Sequence, residues 1–416
     1  MPAYSKKPVV NDAFFQPLAG LAAASPHARY CPEFSDEHWL LAGVRRCLEP
    51  VESGRAFLQE HGPGLPCQPG HTNYFYSLHS ERRLDLVRGV NQAVLAAAAL
   101  PNRLDSIPEL ARYECFALDG HWHKAAAHDP RHGETKMAVG HFYSLDLRGH
   151  QLRALATGEG LHEHDMSALK RIKPAGLRQG VPKGKRVLIV YDRAGIDFAF
   201  WKRCRVEKAV YFLSRAKQGM AYDWIEDRPL DGNDPRNQGI HSDRLIMLRE
   251  GGGLMRLIRY TEPDKGKTYE FLTNEMDLPA CVLVELYRRR WEIEKVFDEI
   301  KNKLHERKAW GTNLGSKETQ AQFVALTHNL LLIYESQLEQ EHGVANLAED
   351  QRRADRQAEL RGYLQATGRE ISSLLVCARR ATQRSVKFLR WLRHCLRERL
   401  TEEAAVPRLK ALYASQ

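Results

Sequence analysis

Long hydrophobic runs are missing from this chain of 416 residues: the longest, Ala93 to Leu100, holds eight and stops at Pro101. A membrane-crossing helix needs about 18, so none is expected. Close cysteine pairs are missing too, since no two of the eight cysteines stand nearer than 16 positions. That excludes a local zinc knuckle or a redox CxxC motif, and reduced thiols in a cytoplasm are the simple reading. The opening MPAYSKK and LAGLAAAS only imitate a signal peptide, because Asn11, Asp12, Gln16 and Pro17 interrupt any apolar core. No internal repeat or low-complexity stretch is present.

What the chain does have is basic charge, unevenly placed. The formal net charge is +10, and from Gln351 onward 15 Lys and Arg face 6 Asp and Glu. A basic tail at helical spacing suits a polyanion such as DNA, because each neutralised phosphate releases condensed counterions. The plain alternative is a solvated helical face. The hydrophobic content of 43% and the length point to two or three globular domains.

Residues 1–110 mix Pro- and Gly-rich stretches with helices expected near Asp36 to Leu48 and Ser80 to Leu100. From Glu114 the pattern becomes short and β-rich: ECFALD, KMAVGHFYSLDL and QLRALATG read as three consecutive antiparallel strands. A helix from Asp165 to Ile172 precedes KRVLIVYD, whose apolar run Val187 to Tyr191 predicts a buried central strand. A helix at Ile196 to Lys208 and the strand VYFLSR follow. The order β-β-β-α-β-α-β is that of a ribonuclease H-like α/β core. Residues 218–275 read as an inserted β subdomain with strands DRLIMLRE and GLMRLIRY, and helices are expected over Pro279 to Leu304 and Lys317 to His342. The fold class is therefore α/β, a ribonuclease H-like core (111–342) with a β insertion, flanked by helical regions at 1–110 and 343–416.

The most informative segment is Tyr287 to Lys301. At about 100° per residue, Tyr287, Arg290, Glu294 and Lys301 project from one sector about 60° wide. Leu286, Ile293, Phe297, Ile300 and Leu304 form the stripe that docks on the sheet, while Glu292, Lys295, Glu299, Asn302 and Lys303 occupy an opposite side expected to be wet.

Phosphodiester chemistry explains why such an acid would be wanted. Two divalent cations about 3.5–4 Å apart stabilise both the attacking and the leaving oxygen of an in-line displacement. Magnesium demands hard oxygen ligands, and three carboxylates suffice if one bridges. Asp119 ends the strand FALD and Asp192 ends VLIVYD, positions from which carboxylates of neighbouring strands can converge with Glu294. Either aspartate alone could equally be a turn or cap residue.

The stretch matches Tyr-x2-Arg-x3-Glu-x6-Lys and so resembles the signature of the insertion-sequence 4 family of DDE transposases at all four positions. ALDGHWHK around Asp119, VYDRAGIDFAFW around Asp192, FLTN at 271–274 and THNLLLIY at 327–334 extend the resemblance over about 114–340. The resemblance implies that Asp119, Asp192 and Glu294 bind two Mg²⁺ (or Mn²⁺), and that Tyr287, Arg290 and Lys301 contact transposon-end phosphates. It implies Mg-dependent cleavage at transposon ends and strand transfer into target DNA by a bacterial, nucleoid-associated cytoplasmic protein. Coordinated cutting of two ends implies a homodimer on the DNA. Trp224, alone among the tryptophans in the β insertion, is a candidate to hold a flipped base.

Other readings stay open. A solvated amphipathic helix would also place Arg290 and Glu294 at i, i+4. Asp298 is the best substitute for Glu294. His121 and His123 with Asp119, and His162 with His164, imitate a zinc hydrolase, though 18 histidines make such pairs common. Asp197 and Arg193 read as helix-start and loop residues. A metal-dependent nuclease without strand transfer, or a non-catalytic DNA-binding descendant, would share the same residues.

Overall fold

Strand β4 (Arg186–Val190) buries Val187, Leu188, Ile189 and Val190, as a strand covered on both faces must. In the computed structural model, which describes residues 9–51, 53–65, 69–126, 139–158, 165–192, 197–249, 253–262, 266–367 and 384–414, it lies near the middle of one sheet. Parallel neighbours flank it, β1 (Tyr113–His123) on one side and β5 (Val210–Arg215) on the other. Beyond β1, β2 (Val139–Asp146) and β3 (Leu152–Thr157) are added antiparallel.

The region read as a β insertion continues this sheet. Its strands β6 (Tyr222–Asp227), β7 (Ile240–Leu248), β8 (Gly253–Thr261) and β9 (Thr268–Thr273) complete a nine-stranded order β3-β2-β1-β4-β5-β9-β8-β7-β6. The join is antiparallel pairing of β9 with β5, for example Leu213 with Thr273, which covers an otherwise open edge. Strands β6 and β9 were not expected. All of β6 after Tyr222 is exposed, so YDWIED shows no apolar alternation to announce a strand.

Helices α1 (Val10–Phe15), α2 (Leu21–Ala24), α3 (Asp36–Leu48), α4 (Gly54–His61), α5 (His71–Ser77) and α6 (Glu81–Ala97) precede the sheet. Helices α7 (Asp165–Leu177) and α8 (Phe198–Lys208) cover one face, burying Met166, Leu169 and Trp201 against Phe116, Val187 and Phe212. The other face takes α9 (Ala280–Arg289), α10 (Trp291–Asp298) and α11 (Leu314–His342). The same core receives the N-terminal helices, with Trp39 of α3 edge-on to Phe323 of α11 at 4.8 Å. After α12 (Leu347–Ala366), helices α13 (Val386–Glu398) and α14 (Glu402–Ala414) add Phe388, Trp391, Leu392 and Leu409 to it.

Two expectations about the signature segment need correction. It is not one regular α-helix: α9 stops at Arg289, Arg290 keeps helical dihedrals but joins α9 to α10 through tighter i to i+3 bonds (Arg290 N–H to the Tyr287 carbonyl and Ile293 N–H to the Arg290 carbonyl, both 3.2 Å), and α10 passes into a π turn over Glu299–Lys303. Adjacent buried arginines pull in different directions here, Arg289 to Glu285 and the Arg103 carbonyl, Arg290 to Asp119 and Glu294. The supposedly wet side is also dry in part. Glu292 is buried on His150, and Glu299 is buried on His328 and Arg384. The reason is tertiary: α11, the β2–β3 turn and the segment leading into α13 supply bases that compensate the cost of burying those acids.

Candidate active site

Strand register brings the first two acids level. Ala117 of β1 pairs with Val190 of β4, and each aspartate lies two residues further along the chain, Asp119 within β1 and Asp192 just past β4. Adjacent strands run about 4.8 Å apart, so Asp119 and Asp192 emerge side by side at the same end of the parallel pair. They share a small cleft with Gly120, Phe142, Tyr143 and Tyr191. The Ser214 hydroxyl donates to the Asp192 carbonyl at 2.9 Å and anchors the residue that follows β4.

Arg290 supplies the link to the third acid. Its guanidinium stands 3.3 Å from Asp119 and 2.8 Å from Glu294 on α10. It is only 6% exposed. Burial works against its charge, but Tyr287, Asp119 and Glu294 outweigh that and push it up. Burial raises the Asp119 carboxyl to about 7, and the nearby Asp192 and Glu294 add to the effect, while Arg290 and the Gly120 N–H, donating at 2.8 Å, oppose it. A buried carboxyl so raised, in a cleft with other acids near it, marks a functional-site candidate.

The remaining sequence-derived residues divide. Tyr287 is 6% exposed, packs on Phe271 at 4.6 Å between ring centres and lies beneath Arg290. Burial pushes its phenol up, opposed by Arg290 and Arg215. Lys301 is exposed on the π turn and close enough to His121 to help burial lower that imidazole to about 4. Trp224 is not brought to the acids: it is 60% exposed on β6, the outer edge strand, five strands from β4 and so about 24 Å across the sheet.

The histidine alternative becomes packing. His121 lies on Phe297 and on His123, and His123 Nε2 meets His141 Nδ1 at 3.1 Å. Burial holds His123 well below the usual imidazole range and His141 down to about 3. His141 was missed, although its alternation with Tyr143 on one strand placed it on the same face. His162, His164 and Arg193 lie outside the described residues. Asp197 caps α8 by accepting from the Phe200 N–H at 2.8 Å, as a helix-start residue should. Asp298 accepts from Asn302 of the following π turn at 2.6 Å.

Hard oxygen donors of this kind suit a divalent cation such as Mg²⁺. Among the described residues, however, no three His, Cys, Asp or Glu are gathered as a ready metal site, and Arg290 bridges Asp119 and Glu294.

Residues 112–330 match the family model described as Transposase DDE domain. A relative in Sinorhizobium fredii, named "Putative transposase y4zB", is 26% identical over 149 residues, 35% of this chain, and the match spans 41% of that relative's length. Among solved structures, a piggyBac transposase synaptic complex with hairpin DNA is similar at TM-score 0.34 and 11% identity, covering 99% of this chain and 87% of that one. A likeness of that size carries no argument.

Proposed function

The chain belongs to the transposase DDE domain family, and from that premise we propose that it cuts transposon ends and joins them to target DNA, with Asp119, Asp192 and Glu294 as the acting carboxylates. The observation that carries the reading is the pairing of Ala117 with Val190, which sets Asp119 beside Asp192 on parallel strands, while Arg290 ties Glu294 to the same place. The strand order β3-β2-β1-β4-β5, with β1, β4 and β5 parallel and β2 antiparallel, supports a ribonuclease H-like core extended by β6 to β9.

The three acids would hold two Mg²⁺ or Mn²⁺ ions, which supply charge stabilisation to the attacking and leaving oxygens of a phosphodiester. The chain's own residues do the rest. Arg290 keeps the acids from repelling one another, and its fork suits a phosphate oxygen once a cation takes over that task. Tyr287 positions Arg290 from below. Lys301 offers an exposed point charge to the DNA backbone. Transposon-end and target DNA are the partners, and cutting both ends of one element calls for a homodimer on DNA.

The deciding experiment is joining of a labelled transposon end to a plasmid in Mg²⁺. D119N, D192N and E294Q should each abolish both cleavage and joining while leaving end binding intact. Cleavage that survives all three substitutions would sink the assignment, and cleavage without joining would make the protein a nuclease.

A further inference from the structure

A basic, aromatic groove opens where β1 runs out. After His123, Lys124 bridges to Lys308: its N–H donates to the Arg307 carbonyl at 3.0 Å, and its carbonyl accepts from Ala309 at 2.9 Å. Beyond that bridge, a cavity of about 560 Å³ lies between α4, α5 and residues 305–312, lined among others by Arg55, His71, Tyr76, His305, Lys308 and Trp310.

Its chemistry is one-sided. Lys301, Arg307, Lys124, Lys308 and Arg55 run from the signature helix to the groove, and none of them is paired with a carboxylate among the described residues. Arg307 is held on this path, donating to the Lys301 carbonyl at 2.9 Å and to Asn302 at 3.2 Å. Among the described residues Glu306 is the one acid lining the cavity; it is buried and already accepts from Trp310 and Gln320. Burial lowers His305, and the neighbouring Arg393 and Arg307 lower it further, another sign of a positive surround. In the same wall Tyr76 is 72% exposed, an aromatic face left open beside the cations.

Backbone phosphates alone would explain the cations but not the open ring and the apolar depth. A duplex keeps its base faces stacked inside, so only an unpaired base can use an exposed tyrosine ring. We propose that this groove takes one unpaired nucleotide of the processed DNA strand, with its base on Tyr76 and its phosphates along Lys308 and Arg55. The assignment rests on the transposase reading for its choice of DNA and adds where the strand leaves the active site.

The test is fluorescence anisotropy of the full chain in EDTA, which removes cleavage from the measurement. The probes are a blunt duplex and the same duplex ending in a single-stranded oligothymidylate tail. The unaltered protein should prefer the tailed probe about ten-fold, a ratio within what stacking of one base supplies. Y76A should erase the preference, Y76W should keep it, and R55Q with K308Q should lower affinity for the tailed probe more than for the blunt one. Because Tyr76 is exposed, Y76A should leave the melting temperature in place. A preference unmoved by Y76A overturns the proposal, and so does a change of oligomeric state in Y76A, which would make a second copy of the chain the occupant. Strand transfer measured on the same preparations keeps the two readings apart. A Tyr76-dependent preference alongside joining indifferent to D119N removes the carboxylate reading and leaves the groove; the reverse removes the groove alone.

Discussion

The guanidinium of Arg290 stands 3.3 Å from the carboxylate of Asp119, across the gap between the signature helix and the sheet. The same group holds Glu294 at 2.8 Å, so one cation keeps two acids on different elements in place. Where a divalent ion would draw carboxylates together, this arginine already does so, and it must give up part of that pairing when a metal enters.

Arg290→Ala should therefore destabilise the protein most when divalent ions are absent. Breaking a buried pair costs roughly 3–5 kcal/mol, and the partial exposure of Glu294 puts the expected loss at or below about 3 kcal/mol. Thermal melts in EDTA and in Mg²⁺ check this: magnesium should restore a larger share of the melting temperature in the variant than in the unaltered protein. Equal restoration would show that Arg290 is not the internal counter-ion of the site.

The raised Asp119 carboxyl has a defined pH signature. Its folded value of about 7 lies above the ordinary 3.8, so its contribution to stability is fully present below about pH 4 and is lost as pH rises through 7. Without divalent ions, the unaltered protein should lose stability between about pH 4 and pH 7 relative to D119N, which cannot titrate. Mg²⁺ binding must displace that proton and should tighten over the same range, with proton uptake by buffer seen in calorimetry. Parallel stability curves for the two proteins would refute the shift.

Arg384→Met tests whether the C-terminal region is structural. Arg384 meets buried Glu299 beside His328, so the substitution leaves a buried acid short of its main cation, at about 3–5 kcal/mol. Arg384 and His328 hold the Glu299 carboxyl down to about 2, below the ordinary 4.5. The pair's contribution is thus complete above about pH 4.5 and fades as pH falls toward 2. Denaturant unfolding at pH 7 and pH 3 should show the variant's deficit shrinking in acid; an equal deficit at both would mean that the pair is not the cause.

Gly43→Ala probes the contact between α3 and α11. A methyl group at this position would fall within the Phe323 ring, which is fully buried and also packs on Trp39. Overpacking of this kind costs about 1–3 kcal/mol, and a lower melting temperature should be partly recovered by Phe323→Leu in the same chain. Additive losses in the double variant would show that the two sites do not meet.

Much of the architecture was legible before any coordinates. The apolar run of β4, the short β-rich segments of β1 to β3 and the helices α3, α6, α7, α8 and α11 follow from local composition, side-chain period and start and stop residues. Those signals are local and depend on a few neighbouring residues. The same holds for the spacing of Tyr287, Arg290, Glu294 and Lys301, and for the aspartates at strand ends. Strand β6 escaped because its side chains after Tyr222 are exposed, leaving no alternation to read.

Register, helix breaks and burial of charge were decided only by the tertiary structure. No local pattern fixes Ala117 against Val190, seventy-three positions away in the chain, yet that pairing alone sets Asp119 level with Asp192. A wheel drawn at constant pitch cannot foresee the tightened bonding at Arg290 or the π turn over Glu299–Lys303, nor that adjacent Arg289 and Arg290 reach the Arg103 carbonyl and Asp119 on separate elements. Nor could it foresee that Glu292 and Glu299 are dry, because His150, His328 and Arg384 come from distant segments. Period is written in adjacent residues and survives being read alone; the sign and place of a buried charge depend on what packs over it.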